Sequence, residues 1–163
     1  MSKINTGKYK NAVLYFSANC NNSHLGRVKL NKLFYYLDFI SYRDRGKSVT
    51  GDVYIHEDFG PVPQKIEEIV SKLKKDSELV VEFDPEYKTA GKYFFKNKKS
   101  PKLKSFDAYE KDLLKKICKF FFTWSTSKII TQTHLEAPWF YSEIFDVVDY
   151  KYAKDIDFFL LAD

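Results

Sequence analysis

The chain has 163 residues and a mass of 19.2 kDa, one domain's worth of sequence, long enough to bury a core without disulfide or metal support. Its hydrophobic fraction of 44%, with 15 Phe and 12 Tyr, excludes extended disorder, and 6 Gly with 5 Pro argue against a loop-rich or all-β fold. Lys and Arg outnumber Asp and Glu by 27 to 22, a net charge of +5.

Tyr9, Ala12, Val13 and Phe16 recur at helical spacing, with Asn5 or Thr6 as cap and 19–23 as the stop. The next helix, 28–44, carries Leu30, Leu33, Phe34, Leu37 and Ile40 on one stripe. Tyr35, Tyr36, Phe39 and Tyr42 widen that stripe until most of the circumference is apolar, the mark of a central, buried helix. Gly46 supplies its stop. Alternation in 52–56 predicts a short strand, and 58–63 reads as a rigid turn, with Pro63 as the first residue of the following helix. That helix shows Ile66, Ile69, Val70 and Leu73 on one face. Segments 79–83 and 93–95 read as strands around a loop at 84–91, forming one small antiparallel sheet with 52–56.

A lysine-rich connection, 97–104, leads to a helix whose Asp107 and Glu110 have capping-box spacing. Its face is Tyr109, Leu113, Ile117, Phe120 and Trp124. Another helix is expected over 126–136, ended by Pro138, and a last short one over 155–161, capped by Asp155. Together these predict an α+β fold, predominantly helical, with a small antiparallel β element inserted between helices, in a single domain over 1–163.

Charge is unevenly placed. Residues 142–163 hold six acids and two lysines, a net of −4, so the preceding 141 residues carry +9. Residues 88–104 hold seven lysines and no acid, which suits an anionic partner or is simply a polarised, solvated surface. Tyr93, Phe94 and Phe95 lie among those lysines, a pattern that suits nucleic acid: cations for phosphates, rings for bases. Tyr93 and Phe95 alternate with polar residues and are expected to face the core, leaving Phe94 free. Cys20 and Cys118 are too few for a disulfide framework, and Cys118 lies in an apolar helical stretch as a buried thiol. The polar start and the absence of a long apolar run point to a reducing cytoplasm.

The chemistry of catalysis is not evident. There is no phosphate-binding glycine loop and no Gly-x-Ser-x-Gly elbow. His24, His56 and His134 are scattered, and Cys20-x-x-x-His24 lacks the second half that a zinc site needs. No catalytic residue, metal or cofactor is therefore expected.

Three segments, in order, resemble a known family. Lys29-Leu30-Asn31-Lys32-Leu33-Phe34-Tyr35-Tyr36 is similar to the K-L-x-K-L-x-Y-Y helix of the Panacea antitoxin-domain family, the SocA-like and phage-associated GepA-like proteins. Phe59-Gly60-Pro61-Val62-Pro63 resembles that family's strand–G-P-V–helix step. Thr133-His134-Leu135-Glu136-Ala137-Pro138-Trp139 resembles its T-H-x-x-x-P-W motif. The resemblance spans about 13–150. Asn31 stands where Gln is common, and 84–104 is particular to this chain, a lysine-rich insertion or hairpin. The resemblance implies a non-enzymatic antitoxin of a bacterial or phage-infected cell, whose partner is a cognate toxin encoded by a neighbouring gene. It also implies, for some members, an adaptor role that hands the toxin to a cytoplasmic protease. Nucleic acid is the alternative partner, and no membrane is expected. On this reading Lys32, Tyr36, Lys96, Lys98, Lys99 and His134 are the partner-binding residues, while Leu30, Leu33, Tyr35, Gly60, Pro61 and Trp139 build the motif scaffold.

Overall fold

In the computed structural model, residues 3–20 and 24–159 are described. The architecture is α+β and mostly helical, arranged around one encased helix. Helix α1 (Thr6–Asn19) starts where the Asn5 side chain accepts the Lys8 amide. Its expected stop at 19–23 lies partly outside the described residues. Helix α2 (Arg27–Arg45) ends on Gly46 in a left-handed conformation whose N–H closes on Tyr42. Every residue of α2 from 29 to 41 is buried, polar ones included. Phe34 packs against Tyr9 and Phe16 of α1. Tyr36 stacks on Phe121 of helix α4 (Ala108–Phe121), ring centres 4.6 Å apart. Phe39 stacks on Tyr150 in a 3-10 turn at Tyr150–Asp155.

The β structure departs from expectation. Strand β1 (Tyr54–Glu57) pairs antiparallel with β2 (Gly60–Pro63), closing a hairpin over Asp58 and Phe59. The span expected as a rigid turn therefore contains a strand, and Pro63 pairs with Tyr54 rather than opening helix α3 (Ile66–Lys75). Prolines are tolerated in β2 because it is an edge strand, with no neighbour awaiting their missing N–H. The other edge of β1 is taken by the chain at 145–148: Phe145 donates to His56 O, His56 to Asp146 O and Val148 to Tyr54 O. With both edges of β1 occupied, β3 (Leu79–Asp84) and β4 (Lys92–Asn97) form a separate hairpin. It is anchored where Phe95 N–H donates to Leu25 O. Tyr93 shares the face of Phe95 but is 67% exposed, because the hairpin outruns the core.

Asp107 and Glu110 form the expected capping box at α4. Glu110 is buried and also receives Lys8 and Arg45, tying α1 and α2 to that helix start. Helix α5 (Thr126–His134) begins on the Ser125 cap and stops before the expected 136. Pro138 does not terminate it; it lies in the first turn of a new short helix, α6 (Ala137–Phe140), where a proline needs no N–H partner. The expected 155–161 helix is also corrected. Asp149, not Asp155, caps the 3-10 turn, and 156–157 is extended coil, while 160 and 161 lie outside the described residues. Arg43 donates to the Ile156, Phe158 and Phe159 carbonyls, holding this end against α2.

One carboxylate fastens the loop that feeds β1. Fully buried Asp38 accepts from Val49 N, Thr50 N, Thr50 Oγ1 and Tyr54 OH, at 2.5–2.8 Å. Burial pushes its pKa up to about 6 despite those four donors. Asp38→Ala would strand four buried donors, and urea unfolding is expected to show a loss of about 3–5 kcal/mol.

Candidate functional site

The three motif segments, separated by about a hundred residues of chain, meet in space. Lys32 on α2 is fully buried, and its Nζ donates to Pro61 O on β2 at 2.9 Å. Gly60 makes that approach possible. A Cβ there would lie 2.6 Å from Lys32 Cε and 2.8 Å from Thr133 Oγ1, and its φ of +106° excludes ordinary side chains. Thus the first, second and third motifs contribute Lys32, Gly60 and Thr133 to one contact. Burial holds the Lys32 pKa down to about 7, an effect partly offset by Glu57.

A second tie lies beside it. Tyr35 and Tyr36 both donate to Glu136 Oε1, at 3.0 and 3.1 Å, and Gln132 reaches Oε2 at 3.4 Å. Adjacent helical residues share an acceptor because Glu136 enters from the α5–α6 junction between them. Burial raises the Glu136 pKa to about 7; the hydrogen bonds pull in the opposite direction.

The third element is a stack. The Trp139 ring lies between His56, 3.4 Å away, and His134, 4.2 Å away, both nearly parallel to it. Burial holds both imidazoles below the usual histidine pKa, and Lys32 and His56 add to that effect on His134. His134 Nε2 is buried without a hydrogen-bond partner. His56 Nδ1 lies 2.7 Å from Ser142 Oγ, a pairing invisible in sequence because the residues are 86 positions apart. The Ser142 hydroxyl also lies 2.8 Å from Trp139 O, an acceptor, so it links the His56 ring to the backbone of α6.

A family model described as antitoxin SocA-like, Panacea domain, matches residues 30–140, the span from motif one to α6. The chain belongs to this Panacea family. No curated protein and no solved structure matches it. The matched span encloses all the junction residues, whereas α1 and residues 141–159 pack on it from outside the match.

Of the residues expected to bind a partner in this Panacea domain, Lys32, Tyr36 and His134 come together around Gly60 and Glu136. Lys32 and Tyr36 are wholly buried, and His134 is half-buried. Lys96, Lys98 and Lys99 are exposed and stand apart, on and just beyond β4. Lys96 pairs with Glu82 and Lys99 with Glu78. Leu30, Leu33 and Tyr35 are core residues, Pro61 is buried, and Trp139 is half-buried. Glu136 had no assigned role in the sequence; its place between motif Thr133-His134 and Pro138-Trp139 was the available signal.

Gly60→Ala is expected to cost about 2 kcal/mol or more, read as a lowered urea midpoint, because Lys32 and Thr133 must move and φ is strained. Glu136 gives a pH test. The unfolded chain releases this proton near 4.5 and the folded chain near 7, so the contribution to stability is full below 4.5 and lost as pH rises to 7. Glu136→Gln keeps the acceptor without the charge. Relative to the parent, its unfolding free energy should rise by about 3 kcal/mol between pH 4.5 and 8.

Proposed function

We propose that this protein is the antitoxin of a toxin–antitoxin pair and neutralises a toxin encoded by a neighbouring gene through direct protein–protein binding. The observation that carries this reading is the Panacea match over residues 30–140, whose motif residues close on one another through Gly60. Neutralisation by occlusion needs an interface of about 1,600 Å² with aromatic anchors. Exposed Phe59, Phe140, Tyr141, Ile144 and Phe145 supply apolar surface for it. Lys96, Lys98 and Lys99, with the rest of the 88–104 hairpin, steer an acidic region of the partner and make association salt-sensitive. Buried Lys32 and Tyr36 act on the partner only through the shape they impose. The protein works in the cytoplasm of a bacterial or phage-infected cell, without catalysing a reaction, and can act as an adaptor for a cytoplasmic protease.

A second reading, nucleic-acid binding, is favoured by one observation. A pocket of about 230 Å³ is lined by Lys29, Lys88 and Lys92 with Tyr87 and Trp124. That combination suits a phosphate and a stacked base.

Co-expression with the neighbouring gene product decides the first reading. The neighbour alone should arrest growth, and this chain should restore growth and co-purify with it in fixed stoichiometry. A harmless neighbour, or one that never co-purifies, overturns it. Rescue that disappears in a protease-deficient host marks delivery, and rescue that persists marks occlusion. A salt-dependent mobility shift with RNA or DNA, in the absence of any toxin complex, would favour the second reading.

A further inference from the structure

A cleft of about 460 Å³ opens between the start of α2 and the β1–β2 turn. Its walls include Asn31, Lys32, Glu57 and Asp58, and two phenylalanines, Phe59 and Phe145, stand at it. Several features set it apart from ordinary surface. Asn31 is only 6% exposed, yet its Oδ1 has no hydrogen-bond partner. A buried amide oxygen left unpaired costs free energy unless a donor arrives. Glu57 and Asp58 are within ion-pair distance of no cation among the described residues, whereas Arg27 and Glu67, also at the cleft, pair with each other at 3.0 Å. Phe59 and Phe145 are 63% and 74% exposed. Phe145 is held at a φ of +68°, a conformation unfavourable for a bulky side chain, with its N–H fixed to His56 O.

We propose that this cleft receives an arginine or lysine side chain from the protein partner, its cationic head meeting Glu57, Asp58 and Asn31 Oδ1 and its stem lying against Phe59 and Phe145. The argument is charge complementarity. Unpaired carboxylates and an unpaired amide oxygen accept hydrogen bonds and offer none to an anion, which argues against a phosphate backbone. Exposed aromatic rings favour a cation over their faces and cover its methylene stem. The competing charges at the cleft are Arg27, which is paired with Glu67, and Lys32, whose ammonium already donates to Pro61 O and whose burial weakens its hold on a proton. A metal ion is a poorer occupant: among the described residues no group of three or more His, Cys, Asp or Glu is placed to ligate one. Ile144, Tyr141 and Phe140, close before Phe145 in the chain, are exposed as well and supply apolar surface to accompany one basic anchor. This assignment rests on the antitoxin reading for the identity of the partner, and on the cleft alone for its chemistry.

Two measurements test the two parts separately. In the first, the full-length 15N-labelled chain is titrated with acetyl-Phe-Arg-Phe-amide and with its citrulline analogue, which keeps the shape and lacks the charge. Saturable shifts at 57–59, at 145 and at the Asn31 side-chain amide are expected with the arginine peptide only. They should weaken by about tenfold in Glu57→Gln/Asp58→Asn. Equal shifts with both peptides, shifts confined to other residues, or none, overturn the proposal. So would concentration-dependent shifts at these residues without peptide, which would give the face to a second copy of the chain.

In the second, the double variant and Phe145→Ala are co-expressed with the neighbouring toxin, each shown by urea unfolding to keep the parent's fold. Loss of rescue and of co-purification in either, against retention in Lys115→Gln/Lys119→Gln on the exposed face of α4, supports the cleft as the anchor. Rescue by both variants at the parent's level overturns the cleft and leaves the antitoxin reading standing. If the parent itself fails to rescue, the antitoxin reading falls and the peptide titration alone decides the cleft.

Discussion

Between residues 29 and 41 helix α2 is buried on every side, and the structure around it follows from that constraint. Its sequence mixes Lys29, Asn31, Lys32, Asp38 and Ser41 with aromatic and aliphatic residues, and all of them are buried. Each buried polar group needs a partner close at hand. Lys29 finds Trp124 O, Lys32 finds Pro61 O, Asp38 finds the 49–54 loop, and Ser41 finds Lys47 O. The two tyrosines find Glu136. The helix therefore selects where four other segments of chain must lie. Hydrophobic burial supplies the drive, and these hydrogen bonds supply the register. Asn31 Oδ1 is the exception, and it belongs to the one polar side chain of the buried run that borders the acidic-aromatic cleft beside Lys32.

Much of this was legible in the sequence because it depends on local periodicity. The full-circumference apolar pattern of α2, its Gly46 stop and the Asp107–Glu110 capping box are short-range signals, and each holds in the structure. The β elements were less legible. Whether Gly60-Pro61-Val62-Pro63 makes a turn or an edge strand depends on β1, and which strands share a sheet depends on residues 145–148, some ninety positions away. Pro138 was ambiguous for a related reason, since the same residue that bars helix continuation is suited to starting one. The ordered motifs identified the family, but their chemistry was not apparent from it. That Lys32, Gly60 and Thr133 form one contact, and that the His56 ring stacks on Trp139, are facts of tertiary packing with no sequence spacing to announce them.

The two kinds of surface divide along the same line. The motif residues of this Panacea domain lie mainly inside or half-inside, where a change in one disturbs the others. The lysine hairpin and the acidic, aromatic cleft lie at positions that the core does not dictate. Tyr93 extends beyond the core on the β3–β4 hairpin, and Phe145 projects from a segment held by backbone hydrogen bonds to β1. Side chains in such places can vary without unpicking the junction, so a single fold can present different faces.

The sandwiching of Trp139 also has an optical consequence. An excited indole is quenched efficiently by a contacting imidazolium and far less by a neutral imidazole, and both flanking histidines are held towards the neutral form. Emission from Trp139 thus reports the charge state of the motif junction. Trp124, the other tryptophan, lies among Phe120 and Phe121 with Lys128 over its ring and no histidine against it, and so serves as an internal standard. The chain carries its own fluorophore pair, one at the place where its three motifs meet and one outside it.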